Sequence, residues 1–222
     1  MRNGFLLRSI GIGVLLLLIA GGVLYLQQTN INRPGNHQGY SPKQPIDFSH
    51  QMHAGELEIS CNYCHTSVEK SQTAEIPATS TCMNCHKFVS APWDSVKLEE
   101  QRAEEEERDP NLIVSAEIRK IYESAGFDPQ SMEYSNTDDA QSIRWTKVHN
   151  LPDFVAFEHR RHVTAGVDCQ QCHGDVAAME RVEQAKSLSM GWCVNCHRDV
   201  NNDLVSGLEK RYASTDCGAC HY

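Results

Sequence analysis

One short motif, Cys-x-x-Cys-His, occurs five times in this chain and uses all ten of its cysteines. Two thiols three positions apart lie on one helical turn, where both can add to the two vinyl groups of a single porphyrin. The adjacent histidine then reaches the iron, which is the signature of c-type haem attachment. The spacing therefore predicts five covalent c-type haems. The predicted haem-binding cysteines are Cys61, Cys64, Cys82, Cys85, Cys169, Cys172, Cys193, Cys196, Cys217 and Cys220, and the predicted iron-binding histidines are His65, His86, His173, His197 and His221.

Two other uses of paired cysteines fit the pattern less well. Zinc ribbons take two C-x-x-C pairs for each metal, so five pairs would leave one pair over. Redox-active C-x-x-C disulfides also occur outside the cytoplasm. Neither alternative gives a reason for a histidine after every second cysteine.

The N-terminus carries a long apolar segment. Residues Ser9–Leu26 contain no charge, and together with Phe5–Leu7 they approach the roughly 20 residues that cross a bilayer as a helix. Arg2 and Arg8 precede the segment, which favours a cytoplasmic N-terminus and places the rest of the chain outside a bacterial inner membrane, in the periplasm. The alternative is a cleaved signal peptide with Ala20-Gly21-Gly22 as the cleavage site.

A second pattern, F-x-H-x-x-H followed by C-x-x-C-H, occurs twice and indicates an internal duplication. An iron that only transfers electrons needs a second axial ligand, and these histidines are candidates. Histidines at i and i+3 point in somewhat different directions and can serve two haems. We expect the first of each pair to bind the haem just downstream and the second to bind a more distant haem. The two pairs are His50 with His53 and His159 with His162.

Three further side chains are candidates for the remaining ligand. His149, just ahead of the second pair, completes a set of five upstream histidines for five irons. Met179 and Met190 are alternative thioether ligands, which would raise the potential of a haem; their other role is packing against a porphyrin face. His37, among Gly, Asn and Pro, is interpreted as solvated.

The predicted fold is mostly α and irregular, a multihaem cytochrome c of c3/c7-like modules with the haems as core, plus one N-terminal transmembrane helix. Within the insert, Glu99–Arg108 is interpreted as a solvated helix face, Leu112–Ala125 as an amphipathic helix and Ser131–Gln141 as a loop. The predicted units are the anchor at 1–27, a linker at 28–45, a dihaem module at 46–90, the partly helical insert at 91–144 and a trihaem module at 145–222.

The formal charge of −9 argues against nucleic acid as a partner, because binding a phosphate backbone needs clustered Lys and Arg. A soluble protein partner would present a basic or neutral surface.

The two modules resemble class III (c3/c7-type) multihaem cytochromes. The fuller pattern, with FSHQMH, WTKVHNLPDFVAFEHRRH and SMGWCVNCHR, looks like the pentahaem membrane-anchored cytochrome subunits of bacterial alternative complex III. The resemblance implies mostly bis-histidine haems with one His/Met haem. It also implies a complex with an iron–sulfur/molybdopterin-like subunit, quinol-binding membrane subunits and a monohaem cytochrome.

In such a complex the chain would be an electron carrier without catalysis of its own, relaying electrons from quinol oxidation to a periplasmic cytochrome or an oxygen reductase. Two alternatives are a self-sufficient membrane-anchored quinol dehydrogenase and a multihaem reductase with an open iron position.

Overall fold

Short helices joined by long irregular segments make up the parts of the chain that the computed structural model describes, residues 11–23, 37–135 and 141–222. Residues 11–23 are helical. Among the described residues, no helix combines the length and the apolar character needed to cross a bilayer. Part of the segment predicted as an anchor, Ser9–Leu26, lies outside the described residues.

The mostly helical and irregular fold predicted from the sequence is confirmed. Beyond the helix at 11–23, the described helices and strands are α1 (Cys61–Cys64), α2 (Thr79–His86), α3 (Trp93–Glu105), α4 (Ala116–Ala125), β1 (Phe127–Asp128), β2 (Glu133–Tyr134), α5 (His159–Thr164), α6 (Cys169–His173) and α7 (Met190–Asn201). A π-helical turn covers Gln51–Glu56, and 3₁₀ turns cover Val176–Ala178 and Cys217–Ala219. The strands β1 and β2 form a two-residue antiparallel hairpin.

Each cysteine motif lies in a helix or a helical turn, and local capping explains where two of these begin. The Ser189 side chain accepts a hydrogen bond from Trp192 N at the start of α7. Asp216 Oδ1 accepts one from Gly218 N, 2.8 Å away, at the start of the last motif. Side-chain oxygens of this kind satisfy backbone N–H groups that a helix start leaves free. The caps therefore hold the two thiols of a motif on one turn.

The amphipathic helix of the insert is shorter than predicted. It begins at Ala116, because the Ser115 side chain caps it by accepting a hydrogen bond from Ile118 N, and it ends at Gly126, whose φ of 64° is the left-handed conformation. Glycine adopts this conformation without steric cost. The predicted segment from Leu112 therefore reaches one turn too far toward the N-terminus.

The insert supplies an apolar cluster beside the second cysteine motif. The phenol of Tyr122 in α4 donates a hydrogen bond to the carbonyl of His86, 2.7 Å away. The insert therefore anchors α2, the helix that carries the second motif. The buried members of the cluster are Ile46, Met83, Ile121, Tyr122 and Phe127.

The prediction that Glu99–Arg108 forms a solvated face is wrong at Glu99, which is 8% exposed. Its carboxylate accepts hydrogen bonds from Arg108 Nη1 at 2.7 Å and from the backbone and side chain of Asn111 at 2.9 and 2.8 Å. The hydrogen bond from Arg108 lowers the pKa of Glu99 to about 2. Charge pattern alone missed this, because Arg108 and Asn111 fold back on α3 from beyond its end.

The two segments predicted as haem modules contact each other at the places described next. The loop after the first motif accepts hydrogen bonds from α5, with His159 N 3.0 Å from Gln72 O and Arg160 N 3.2 Å from Ser71 O. The turn Gln51–Glu56 packs on Val176–Ala178. A β-carbon on Gly55 would lie 2.3 Å from the backbone oxygen of Ala177, so this contact requires glycine.

We predict that Gly55→Ala destabilises the protein, because the added methyl group cannot fit against a backbone oxygen. Overpacking of this kind costs on the order of 1–3 kcal/mol, which for a chain of this size lowers the unfolding temperature by roughly 2–10 °C. Thermal unfolding of the haem-loaded protein would measure it. Glu56→Ala, a change at the next and exposed position, is the control and should leave the transition in place. Equal transitions for Gly55→Ala and the wild type would contradict the packing described.

Candidate haem-binding sites

Three of the predicted upstream histidines face a motif histidine at nearly the same separation. A metal bonded to an imidazole nitrogen at about 2 Å on each side holds the two ring centroids roughly 6 Å apart. The observed separations fit one iron between each pair of rings. The pairs and their centroid distances are His53–His86 at 6.1 Å, His159–His173 at 6.3 Å and His162–His197 at 6.1 Å.

The fourth upstream histidine, His50, lies within electrostatic reach of His65. Burial, with the neighbouring imidazoles of His65 and His53 acting in the same direction, lowers the pKa of His50 to about 4. A neutral imidazole is the form that binds a metal. His50 and His65 are therefore available as a fourth pair.

Six histidines of the candidate sites have the same partner type at Nδ1, a backbone carbonyl oxygen. A proton held on Nδ1 by such a contact leaves the lone pair of Nε2 available to a metal and fixes the ring orientation. The Nδ1-to-oxygen distances run from 2.5 to 3.0 Å. The contacts are His53 with Ser49, His65 with Glu75, His86 with Val89, His159 with Gln72, His162 with Glu158 and His197 with Ser214.

The duplication seen in the sequence has a matching geometry. Phe48 stacks on His53 with centroids 4.3 Å apart and an interplanar angle of 28°, and Phe157 stacks on His162 at 4.7 Å and 27°. The first histidine of each module meets the same phenylalanine edge-on, at 86° in both cases. The phenylalanine of F-x-H-x-x-H thus orients both histidines of its module.

His149 lies against a different side of a motif histidine. Its Nε2 is 3.3 Å from Nδ1 of His173, and the two ring centroids are 4.4 Å apart with an interplanar angle of 76°. Burial lowers the pKa of His173 to about 4, and burial also lowers the pKa of His149. The pair is a contact between two neutral rings.

The last motif histidine, His221, packs against an aromatic ring, that of Phe154, with centroids 5.8 Å apart. Met190 is the first residue of α7 and is 70% exposed. It lies three positions before Cys193, on the same helix face, and Cys193 interacts electrostatically with Cys220 of the last motif.

Met179, the other candidate thioether, and His37, which was interpreted as solvated, lie elsewhere. The methyl group of Met179 is directed toward Gly174, just after the third motif, 3.4 Å from where a β-carbon would stand. His37, predicted to be solvated, is half-buried beside Tyr40 with ring centroids 6.4 Å apart. Its segment is tied to the trihaem module, since Gly39 N donates to Gln184 O at 2.8 Å and Gln184 N donates to Tyr40 O at 3.0 Å.

Electrostatic effects between thiols of different motifs indicate which attachment sites are neighbours in space, with sites numbered along the chain. Burial raises the pKa of the Cys172 thiol to about 11, and Cys196 and Cys193 of the fourth site raise it too. All ten thiols are free in this structure. The successive neighbours are sites two, one, three, four and five, because the pKa of one thiol is raised by the charge of the other in the pairs Cys64–Cys85, Cys169–Cys61, Cys172–Cys196 and Cys193–Cys220. No motif spacing in the sequence signals this order.

Comparison with known proteins matches two segments of the chain to two families of c-type cytochromes. Residues 26–108 match the class III cytochrome C family, and residues 155–222 match cytochrome c7 and related cytochrome c. The chain is also similar to the menaquinone reductase, multiheme cytochrome c subunit, of Nitratidesulfovibrio vulgaris. The two are 23% identical over 205 residues, which cover 82% of this chain and 79% of that protein. The family matches cover the segment predicted as the dihaem module and all of the segment predicted as the trihaem module except residues 145–154, and they leave residues 1–25 and 109–154 unmatched.

Proposed function

We propose that this chain, a multihaem c-type cytochrome of the c3/c7 kind, relays electrons along five covalent haems within a membrane-bound quinone oxidoreductase complex. The observation that carries the proposal is the set of three imidazole pairs spaced 6.1–6.3 Å apart, each joining an upstream histidine to a motif histidine.

We propose four bis-histidine irons and one His/Met iron. Filling both axial positions leaves no iron open to a substrate, which suits electron transfer and disfavours a reductase. The proposed pairs, in the order of the sites, are His65 with His50, His86 with His53, His173 with His159, His197 with His162 and His221 with Met190.

The protein's part in the mechanism is to position and tune. When bound, each haem supplies an iron that gains and loses one electron. The backbone carbonyls at Nδ1 hold the axial imidazoles in place and raise their basicity. The order of the sites puts the second and fifth at the two ends, so electrons would enter at one of them and leave at the other.

The haem count has a direct measurement. We predict that the purified chain carries five haems by pyridine haemochrome assay and by intact mass, because each of the five motifs has both thiols and its histidine. The double variant Cys217→Ala/Cys220→Ala is the matched control and should carry four. A wild-type count below five would contradict the proposal.

The partners are proposed from sequence similarity. The relative's name describes a menaquinone reductase subunit, and the sequence patterns resemble the pentahaem subunit of alternative complex III. We propose a complex with an iron–sulfur/molybdopterin-like subunit, quinone-binding membrane subunits and a monohaem cytochrome. We further propose that the chain faces the periplasm and is held by its apolar N-terminal segment, which follows Arg2 and Arg8.

A second candidate is the reverse direction of flow, from a periplasmic donor to menaquinone, which the similarity to the menaquinone reductase subunit favours. Purification of the tagged chain from its native membranes, with identification of the bound subunits, tests the partners. A quinol and a reduced cytochrome are then added separately to that complex. Reduction of the haems by the quinol supports flow out of the quinol, and reduction by the cytochrome supports flow toward menaquinone. A chain that purifies alone and oxidises quinol at full rate would contradict the subunit role.

A further inference from the structure

We infer that His149 is a positioning residue for the third haem, which holds the axial ring of His173 from its Nδ1 edge and does not bind iron itself. The inference rests on the proposed function, because it takes His173 as an iron ligand. It assigns a role that the motif pattern did not suggest, since counting histidines against irons had made His149 a ligand.

The geometry around His173 separates the two roles. Its ring lies 6.3 Å from that of His159 and nearly parallel to it, at 12°, which suits an iron between them. The His149 ring is only 4.4 Å from His173, closer than two imidazoles on opposite sides of an iron can be. The closest approach is made to Nδ1 of His173, at 3.3 Å. Nδ1 is the nitrogen that an axial imidazole leaves free when it binds iron through Nε2.

His173 differs from most of the other proposed ligands in what its Nδ1 meets. In six of them Nδ1 contacts a backbone carbonyl oxygen. In His173 the partner is an imidazole nitrogen of another side chain. A neutral imidazole accepts a hydrogen bond through one ring nitrogen. His149 therefore takes the place of the backbone carbonyl at His173.

A contact of this kind acts on the potential of the iron. An acceptor at Nδ1–H makes the ligand more basic, which stabilises the oxidised metal and lowers the reduction potential. Removing the acceptor from a half-buried site leaves the N–H of His173 without its partner. The potential of that single haem should then rise.

The test uses the full-length, haem-loaded protein and two variants, His149→Leu and His149→Gln. The measurements are a potentiometric titration followed by absorbance and electron paramagnetic resonance, and carbon monoxide binding to the dithionite-reduced protein. We expect both variants to keep every haem low-spin with wild-type carbon monoxide binding. In His149→Leu one midpoint potential of the five should rise, and in His149→Gln, whose amide oxygen can accept from Nδ1–H, it should stay near the wild-type value.

Two outcomes would overturn the inference. A new high-spin signal with about one carbon monoxide bound per chain, in either variant, would make His149 an iron ligand. Low-spin haems with unchanged potentials in His149→Leu would show that the contact does not tune the haem. If His149→Leu fails to fold, His149→Gln still decides, because its amide does not replace an imidazole on iron. The haemochrome assay of the wild type tests the proposed function separately from the role of His149. A wild type without haem would contradict the proposed function itself.

Discussion

His162→Ala will open one iron, and the reduced protein will bind about one carbon monoxide per chain. The ring of His162 stands 6.1 Å from that of His197, with Nδ1 held by the carbonyl of Glu158. Without the imidazole, the fourth iron keeps only His197 and becomes five-coordinate and high-spin. The measurements are the carbon monoxide difference spectrum and the high-spin ferric resonance signal, quantified against total haem.

The equivalent change in the other module, His53→Ala, should open the second iron to the same extent, because the ring of His53 lies 6.1 Å from that of His86. The control is His37→Ala, which removes a histidine that contacts Tyr40 and lies outside the proposed ligand set. This variant should bind no more carbon monoxide than the wild type. If His162→Ala and the control behaved alike, the proposed pairing of His162 with His197 would be excluded.

Met190→His will lower the highest midpoint potential of the protein. A thioether raises the potential of a haem relative to a second imidazole. Axial ligands as a class move haem potentials across roughly 0.8 V, so one exchange should give a change on the order of 0.1 V. The same variant should lose the long-wavelength absorption band of thioether-bound ferric haem. Met190→Leu should open the fifth iron to carbon monoxide instead.

The matched control is Met179→Leu, which removes the other candidate thioether. Met179 packs toward Gly174 after the third motif, and we expect its replacement to keep the absorption band and all five potentials. Loss of the band in the Met179 variant, with Met190→Leu unchanged, would transfer the ligand role to Met179. A wild type without the band would remove the His/Met haem from the proposal altogether.

A His/Met iron at the fifth site would also give the electron path a direction. The fifth site is one end of the order two, one, three, four, five. A high potential at that end favours electron exit there and entry at the second site, beside the apolar cluster that Tyr122 and Phe127 form with α2. Downhill flow into menaquinone would instead need the high-potential end, the fifth site, to meet the quinone.

Part of the haem chemistry could be predicted from the sequence because it is local. The two cysteines and the histidine of a motif lie within one helical turn, so their spacing along the chain is their arrangement in space. The same holds for F-x-H-x-x-H, where Phe48 and Phe157 orient their histidines in the same way at both copies. The mostly helical and irregular fold follows from these short, closely spaced motifs. The relation to c3/c7 cytochromes, also predicted from the motifs, is confirmed by the family matches at both ends of the chain.

The remaining features depend on contacts between distant parts of the chain, which residue type and spacing do not fix. The residue type of His149 fits two roles, an iron ligand and a hydrogen-bond acceptor, because both roles use an imidazole ring. What distinguishes them is that the ring lies at Nδ1 of His173, and this position is visible only in the structure. Charge could not show that Glu99 is buried, because its partners Arg108 and Asn111 return to it from beyond the end of α3. The order of the sites is likewise a property of packing. The sequence determined which atoms can bond to haem, and the tertiary structure decided which of them meet, because meeting depends on through-space distances between segments that are far apart in the chain.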